Sequence, residues 1–141
     1  MADEQGAAHA ADAFGGVRNG RGVCLATSGP GATNLVTGIA DAGMDSDGLL
    51  ALTGQVPSDM VGSDAFQETD TTGVTAPITK HHYFADDPDT VGDTVGEALA
   101  LAGAGRPGPT PGDLPKGVTP GETDPGPGPA GPRETPPPRS A

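Results

Sequence analysis

Bulky apolar side chains are scarce in this sequence. It has no tryptophan, one tyrosine and three phenylalanines in 141 residues, against 24 glycines and 16 prolines. The length allows one domain at most, and the shortage of large apolar residues predicts a small core and a marginally stable fold. The single cysteine, Cys24, excludes an intrachain disulfide. Because Cys24 lies in an apolar run, we expect it to be a small buried hydrophobe.

Basic residues are also scarce, and the charge is uneven. The formal net charge is -12, and all of it arises within residues 1–105. A surface this acidic should repel nucleic acid and anionic membranes, so we expect neither as a partner. Aspartate dominates the acidic residues and lysine is rare, which suggests a halophilic protein whose carboxylate repulsion is screened by salt. An ordinary acidic bacterial protein is the alternative.

Long apolar runs are absent as well. No run is long enough to span a membrane, and the N-terminus shows no charged segment followed by an apolar one. We therefore expect a cytoplasmic protein.

Three short segments have the composition of β-strands. Residues 22–27 and 49–53 are continuous apolar runs, which are typical of strands buried on both faces of a parallel sheet. Residues 78–84 are rich in β-branched and aromatic side chains, as strands are.

Helical patterns lie between these strands. Residues 4–14 predict a helix that Asp3 caps and that the glycines at 15–16 end. A short helix is expected around residues 65–68, and a longer one starting near Pro88. Between the first two strands, helical spacing predicts a buried face formed by Leu35, Ile39 and Ala42.

The alternation of these elements predicts an α/β fold. We expect a partial open parallel sheet with helices on both faces and right-handed crossovers. Residues 1–118 contain the predicted elements. Residues 119–141 are rich in proline and glycine and have almost nothing to bury, so we predict a disordered tail there.

The loop after the first strand is one candidate site. Ligands of open α/β sheets bind beyond the carboxyl ends of the strands. Gly29 and Gly31 would let a ligand approach the backbone beside the N–H groups of a helix N-terminus. The segment is neither a Walker A loop nor a dinucleotide fingerprint, because no Gly-Lys-Ser/Thr follows and Asn34 takes the place of the third glycine. From local pattern alone, a plain turn is an equally good interpretation.

Two other segments hold candidate ligand-binding residues. Glu4, in a first helical turn followed by small residues, could face a flat ligand, although a first-turn glutamate is often only a capping charge. Phe66, in the loop of residues 62–68, could line a pocket, or the loop could simply cover the sheet edge.

The histidines do not predict a metal site. His81 and His82 are adjacent, so on a strand they would point to opposite faces. We identify no second ligand for His9 on its helix face, and we therefore expect no metal site in this chain.

Several segments, taken in order, resemble the large subunits of acetolactate synthase (acetohydroxyacid synthase). Residues 4–12 read Glu-Gln-Gly-Ala-Ala-His-Ala-Ala-Asp, and residues 23–34 read Val-Cys-Leu-Ala-Thr-Ser-Gly-Pro-Gly-Ala-Thr-Asn. The other matching segments are residues 44–46, 51–57, 62–68, 77–81 and 105–109. The resemblance covers residues 3–118.

The resemblance implies that residues 1–118 are part of an N-terminal thiamine-diphosphate-binding (pyrimidine) domain. It implies a catalytic role for Glu4, which would hydrogen-bond N1′ of the cofactor's aminopyrimidine ring. This bond would promote removal of the C2 proton from the cofactor's thiazolium ring. The residues implied to lie near the cofactor are Glu4, Gly29, Pro30, Gly31 and Asn34, and those implied on the substrate side are Phe66, Gln67 and Lys116.

The activity implied by the resemblance is the decarboxylating condensation of two 2-oxo acids, pyruvate or 2-oxobutanoate, in branched-chain amino acid biosynthesis. Members of the family also use Mg²⁺ and FAD, bound mainly by domains that this sequence lacks, and form homodimers or tetramers with a regulatory subunit. We therefore expect the piece to be inactive alone. The alternatives are a fragment of another thiamine-diphosphate enzyme, of the pyruvate oxidase or glyoxylate carboligase type, and a non-catalytic dimerisation module.

The sequence departs from the family at both ends of the domain. In the family, a strand, a helix and a Gly-rich loop precede the glutamate helix, so we expect a truncated domain. In the last strand, Thr110, Pro111 and Gly112 replace the apolar residues of the family. Because proline and glycine interrupt strands, we predict that the sheet does not close normally there.

Overall fold

The computed structural model describes residues 2–118, so the tail predicted at residues 119–141 lies outside the described residues. In chain order the elements are α1 (Glu4–Val17), β1 (Arg21–Ala26), α2 (Pro30–Asn34), α3 (Val36–Asp45), β2 (Gly48–Gln55), α4 (Thr71–Thr75), β3 (Tyr83–Phe84), α5 (Val91–Gly103) and β4 (Pro109–Pro115), with 3₁₀ turns at Ser58–Met60 and Ala76–Ile78. Among the described residues, no helix is long and apolar enough to cross a membrane.

The four strands form one parallel sheet in the order β1-β2-β4-β3. Sequence order and spatial order differ because β4 inserts between β2 and β3. This arrangement confirms the predicted α/β fold with an open parallel sheet. It also aligns the carboxyl ends of all four strands along one edge.

Helices cover both faces of the sheet. A Cβ on Gly22 would clash with the carbonyl oxygen of Ala11, so α1 lies against that face of β1. A Cβ on Gly48 would lie 3.1 Å from the carbonyl oxygen of Ala102 in α5. Gly48 pairs with Arg21, so these two residues face the same side of the sheet. Gly22 follows Arg21 in β1, so a Cβ on Gly22 would lie on the opposite face from one on Gly48. α1 and α3, which pack on each other, therefore cover one face and α5 covers the other.

The largest buried cluster lies between α1, α3 and the sheet. Leu35, Ile39 and Ala42 are buried, as their helical spacing predicts, and they pack with Cys24 and Leu49. Burial raises the pKa of the Cys24 thiol to about 11. The thiol is therefore protonated at neutral pH and behaves as the small hydrophobe that the sequence predicts.

The two apolar strands differ in burial. β2 is buried on both faces over residues 48–51, as predicted. The same prediction is wrong for β1, where Val23 and Leu25 are 47% and 68% exposed. β1 is an edge strand, and α5 packs mainly against β2 and β4, so this helix leaves Val23 and Leu25 largely uncovered.

The glycine pair at 15–16 does not end α1, contrary to the prediction. The helix continues to Val17. A Cβ at Gly15 would lie 2.7 Å from the backbone nitrogen of Gly22. Glycine therefore allows the helix to approach β1 at this position rather than terminating it.

Boundaries in the second half of the chain also differ from prediction. Residues 65–68 form a single turn, closed by the Glu68 N–H and the Ala65 carbonyl at 2.9 Å, instead of a helix. The strand predicted at residues 78–84 contracts to Tyr83–Phe84 because residues 76–78 form a 3₁₀ turn. The last helix begins at Val91 rather than at Pro88.

β4 contradicts the prediction that proline and glycine would interrupt the sheet. It is a seven-residue strand, Pro109–Pro115, paired with β2 along its whole length. In a strand, successive N–H and C=O groups point alternately to the two neighbours. The carbonyls of Pro109 and Asp113 accept hydrogen bonds from the β3 side, whereas the N–H of Lys116 bonds to Gln55 on the β2 side.

The three prolines of β4 are all at positions whose backbone N–H would point toward β3. These residues are Pro109, Pro111 and Pro115. Since β3 contains only two residues, the missing N–H groups fall where few ladder partners exist. The hydrogen bonds to β2 come from the intervening residues, so the central pairing of the sheet is retained.

Candidate functional site

Three strands deliver residues to one edge of the sheet. β1 leads into residues 27–31, β2 ends at Gln55, and β4 is followed by Lys116. An open cleft of about 360 Å³ lies among these strand ends, and its lining includes Ser28 and Lys116. The backbone N–H of Lys116 donates to the Gln55 carbonyl oxygen at 3.1 Å, which fixes the end of β4 against β2. The cleft therefore occupies the position where open α/β sheets bind ligands.

Glu4 and Asn34 meet although they are thirty residues apart in sequence. Glu4 is half-buried in the first turn of α1, and Asp3 caps that helix by accepting the Gly6 N–H at 2.7 Å, as predicted. Asn34, the last residue of α2, donates from Nδ2 to Glu4 Oε2 at 3.0 Å. The positive end of the α1 dipole stabilises negative charge on the Glu4 carboxylate. The structure thus joins two of the residues predicted to lie near the cofactor.

Gly29 connects the first loop to the loop of residues 62–68. Its φ of 58° and ψ of -112° place it in a region that residues with a Cβ avoid. A Cβ at this position would also lie 2.5 Å from the Gln67 carbonyl oxygen. Gly29 therefore brings the predicted cofactor loop into backbone contact with a predicted substrate-side residue.

Pro30 and Gly31 begin α2 directly after Gly29. Pro30 occupies the first helical turn, where its missing N–H leaves no bond unmade. Gly31 is buried, and a Cβ there would lie 2.8 Å from Thr27 Cγ2. The backbone of this turn is consequently closely packed.

Glu68 organises the loop of residues 62–68. Its side chain accepts hydrogen bonds from the backbone N–H groups of Gly62 and of Ala65, the latter at 2.9 Å. These N–H donors hold the pKa of the Glu68 carboxyl below its usual value. Sequence reasoning treats Glu68 only as part of a motif and misses this role, because nothing local indicates which N–H groups a loop glutamate will bind.

The predicted substrate-side residues are placed unequally. Lys116 lines the cleft, and the backbone of Gln67 contacts Gly29. Phe66 is 89% exposed and does not belong to the cleft lining. The structure therefore brings two of these three residues to the strand-end region.

A buried polar network that sequence reasoning misses lies beside the cleft. Asp113, 2% exposed, accepts a hydrogen bond from the Thr53 hydroxyl, and its other oxygen lies 3.6 Å from His82 Nε2. His82 Nδ1 lies 3.2 Å from the Thr75 hydroxyl, which donates to the Thr71 carbonyl at 2.7 Å. Because the Thr75 proton is used in that bond, His82 Nδ1 is the donor to Thr75.

A second polar cluster joins α1 to α3. His9 Nδ1 lies 3.2 Å from Asp41 Oδ2, and one ligand atom from each of His9, Asp12 and Asp41 lies within 4.8 Å of the other two. No metal site is predicted from the sequence, although Asp12 stands three residues after His9 and so on the same face of the helix. Asp41 has no sequence signal, because only the packing of α3 on α1 brings it there.

Comparison with known proteins identifies the family. Residues 1–74 match the family described as thiamine pyrophosphate enzyme, N-terminal TPP binding domain. The chain is 54% identical over 121 residues to a probable acetolactate synthase large subunit of Methanocaldococcus jannaschii, covering 86% of this chain and 20% of that protein. It is 53% identical over 121 residues to the acetolactate synthase large subunit of Corynebacterium glutamicum, covering 86% and 19%.

A third relative, an acetolactate synthase of Arthrospira platensis, is 57% identical over 115 residues, covering 82% of this chain and 20% of the relative. The chain thus spans about a fifth of the length of the curated relatives it matches. These similarities confirm the resemblance read from the motifs. The chain belongs to the family of N-terminal thiamine pyrophosphate binding domains of thiamine pyrophosphate enzymes.

Proposed function

We propose that this chain is the Glu4-bearing part of a thiamine-diphosphate site in an acetolactate synthase large subunit. The observation that carries the proposal is the hydrogen bond between Asn34 Nδ2 and Glu4 Oε2. It holds a half-buried carboxyl group in one orientation at the start of a helix. An oriented carboxyl group is what recognition of a ring nitrogen requires.

The residues present fit the cofactor's pyrimidine half. Asn34 occupies Glu4 Oε2, so we assign Oε1 to exchange a proton with the pyrimidine nitrogen. Gly29, Pro30 and Gly31 form the turn that leads into α2, the helix that ends at Asn34, and we assign the backbone of this turn to contact the cofactor. When bound, thiamine diphosphate supplies the carbon nucleophile for decarboxylating a 2-oxo acid.

The substrate side is assigned to the second loop and the end of β4. Lys116 lies at the cleft and carries a positive charge suited to the carboxylate of pyruvate or 2-oxobutanoate. Gln67 reaches the same region through its contact with Gly29. Phe66, exposed in this chain, supplies an apolar surface for the substrate only if a further chain segment or subunit covers it.

Several features of the whole enzyme remain proposals that rest on the relatives' names and on the family resemblance. They are the condensation of two 2-oxo acids, the use of Mg²⁺ and FAD, assembly into dimers or tetramers with a regulatory subunit, and a cytoplasmic location. We expect no acetolactate from the 141-residue chain alone. Product formed from pyruvate by the purified chain would contradict this expectation.

A calorimetric titration tests the cofactor assignment. The full chain is titrated with thiamine diphosphate, and Glu4→Gln is compared with Glu97→Gln, which makes the same chemical change at an exposed position of α5. Loss of a hydrogen bond to a charged group is worth about 1.5–3 kcal/mol, so Glu4→Gln should weaken binding by roughly 10- to 150-fold. Glu97→Gln should leave it unchanged. A folded chain that binds no cofactor, or binds it equally with Glu4→Gln, would overturn the assignment.

A non-catalytic dimerisation module is the second candidate. The exposed edge strand favours it, because Val23 and Leu25 leave apolar surface on a strand with one open edge. A folded chain that dimerises but shows no Glu4-dependent cofactor binding would favour this function. A fragment of another thiamine-diphosphate enzyme is less well supported, because the relatives described above are named acetolactate synthases.

A further inference from the structure

The cluster of His9, Asp12 and Asp41 combines one imidazole with two carboxylates. His9 and Asp12 lie three residues apart on α1, and Asp41 lies on α3. Their ligand atoms are within 4.8 Å of one another. His9 and Asp41 have side chains that are 38% and 53% exposed. The cluster therefore opens to solvent on one side, which provides an entry path and room for water ligands.

The ion pair between His9 and Asp41 does not explain why Asp12 is buried with one carboxylate oxygen unpaired among the described residues. It is 6% exposed, and its Oδ1 has no hydrogen-bond partner among residues 2–118. Asp47, Asp41 and Asp45 add the repulsion of three further carboxylates. His9 is the one nearby group that acts in the opposite direction. A buried carboxylate among other carboxylates is unfavourable unless a cation compensates it.

We propose that His9, Asp12 and Asp41 bind a divalent transition-metal ion, with Zn²⁺ as the best fit. Imidazole and carboxylate ligands suit Zn²⁺, whereas Mg²⁺ and Ca²⁺ prefer oxygen ligands alone. With bonds of about 2.0–2.1 Å, tetrahedral Zn²⁺ holds its ligand atoms roughly 3.3 Å apart. The 3.2 Å between His9 Nδ1 and Asp41 Oδ2 meets this spacing.

The remaining separations need only small adjustments. Ligand atoms now up to 4.8 Å apart must approach by at most about 1.5 Å to reach that spacing. Rotation of the two partly exposed side chains, His9 and Asp41, toward the buried Asp12 can supply such a shift. The three protein ligands would leave one coordination position for water. The ion would link α1 to α3 and neutralise the charge at Asp12.

Zinc titration of the EDTA-stripped 141-residue chain tests the site. The variants are Asp12→Asn and His9→Gln. The matched control is Asp45→Asn, because the Asp45 carboxylate repels Asp12 by its charge but is not in the cluster. We expect one equivalent of Zn²⁺ to bind, and to bind at least about 100-fold more weakly in either ligand variant, because loss of an outer-shell partner alone costs about 10- to 100-fold. Asp45→Asn should bind within about threefold of the parent chain, because it removes no ligand and Asp45 has the weakest effect on Asp12 of the three neighbouring carboxylates. Mg²⁺ should compete poorly.

Two further measurements keep the result interpretable. Co²⁺ in place of Zn²⁺ should give the visible absorption of a four-coordinate ion with a nitrogen ligand, and His9→Gln should abolish that spectrum. In EDTA, Asp12→Asn should be at least as stable as the parent, because it removes a buried charge. Lost zinc binding then cannot be attributed to unfolding, and if Asp12→Asn does not fold, the exposed His9→Gln decides.

The proposal is overturned if the folded chain shows no saturable Zn²⁺ binding, or if both ligand variants bind as the parent does. His9 and Asp41 would then form an ordinary ion pair. The zinc site does not rest on the proposed cofactor function, since the titration contains no thiamine diphosphate.

Discussion

At the scale of single residues, Gly29 combines two constraints that only glycine satisfies. Its φ is 58° with ψ at -112°, and a Cβ would approach the Gln67 carbonyl oxygen to 2.5 Å. Gly29→Ala should therefore lower the free energy of unfolding by about 2–4 kcal/mol through backbone strain and displacement of the second loop. Urea denaturation followed by circular dichroism measures this loss.

Gly92→Ala is the matched control for that substitution. Gly92 lies in α5, where a Cβ would meet no atom within 4 Å. Alanine favours the helix, so Gly92→Ala should raise stability by about 0.5–1 kcal/mol. Equal effects of the two alanine substitutions would show that the conformation of Gly29 is not a constraint.

Glu68 gives a prediction about pH. Hydrogen bonds from Gly62 and Ala65 lower the pKa of the Glu68 carboxyl in the folded chain. A lowered folded-state pKa stabilises the loop above the unfolded-state pKa, and that contribution is lost as the pH falls through the folded-state value. The amide resonances of Gly62 and Ala65 in NMR spectra should shift with one acidic midpoint, below that of an ordinary glutamate. Glu68→Gln should remove this midpoint, and its persistence would assign the titration to another group.

Residue contacts are predictable from sequence when they are local. The Asp3 cap follows from its place before an alanine-rich run, and the bond from Gly6 confirms it. The contact of Asn34 with Glu4 is indicated only by the family resemblance, because thirty residues separate the two. The meeting of Asp12 with Asp41 has no signal in the chain at all, since it depends on how α3 packs on α1.

At the scale of elements, the placement of the prolines at alternate positions that face β3 explains why β4 forms in spite of its composition. Leu114→Pro would place a proline at a position whose backbone N–H points toward β2. The native prolines stand at positions that face the short β3. The lost bond and the unsatisfied carbonyl on β2 should lower stability by about 1–3 kcal/mol. Pro111→Val adds an N–H on the β3 side and leaves the bonds to β2 intact, so it should cost less, up to about 1.5 kcal/mol, as substitutions of similar volume do.

Thermal unfolding of the two β4 variants tests this account. The expected order is Pro111→Val close to the parent and Leu114→Pro clearly below it. The reverse order would mean that the pairing of β4 with β2 does not depend on which side of the strand carries the prolines. A count of strand-breaking residues predicts an interrupted sheet because it does not consider which neighbouring strand each N–H faces.

Element existence is predicted better than element burial. The helical spacing of Leu35, Ile39 and Ala42 and the apolar run of β2 both correspond to buried faces. The apolar run of β1 has the same composition, but its position at the edge of the sheet leaves Val23 and Leu25 exposed. Strand order is a property of the whole sheet, so no local pattern reveals which apolar strand lies at the edge.

At the scale of the whole molecule, the distribution of charge predicts how stability depends on salt. The net charge of -12 arises within residues 1–105. After burial, the charges of Asp47, Asp41 and Asp45 raise the pKa of the Asp12 carboxyl, so these carboxylates lie close enough to repel one another. Screening shortens the range of this repulsion, since the Debye length falls from about 10 Å at 0.1 M salt to about 3 Å at 1 M. Stability should therefore increase between 0.1 and 1 M KCl, by about 1 kcal/mol or more if several pairs contribute.

The urea midpoint measured at increasing KCl concentration tests the halophilic hypothesis. The double variant Asp45→Asn with Asp47→Asn removes two of the repelling charges without altering a strand, so its midpoint should rise at low salt and depend less on KCl. Sucrose in place of KCl separates screening from a general exclusion effect, because it stabilises compact states without carrying charge. A midpoint that is high at 0.1 M KCl and unaffected by further salt would favour the ordinary acidic protein instead, in which the carboxylates are already far enough apart for water to screen them.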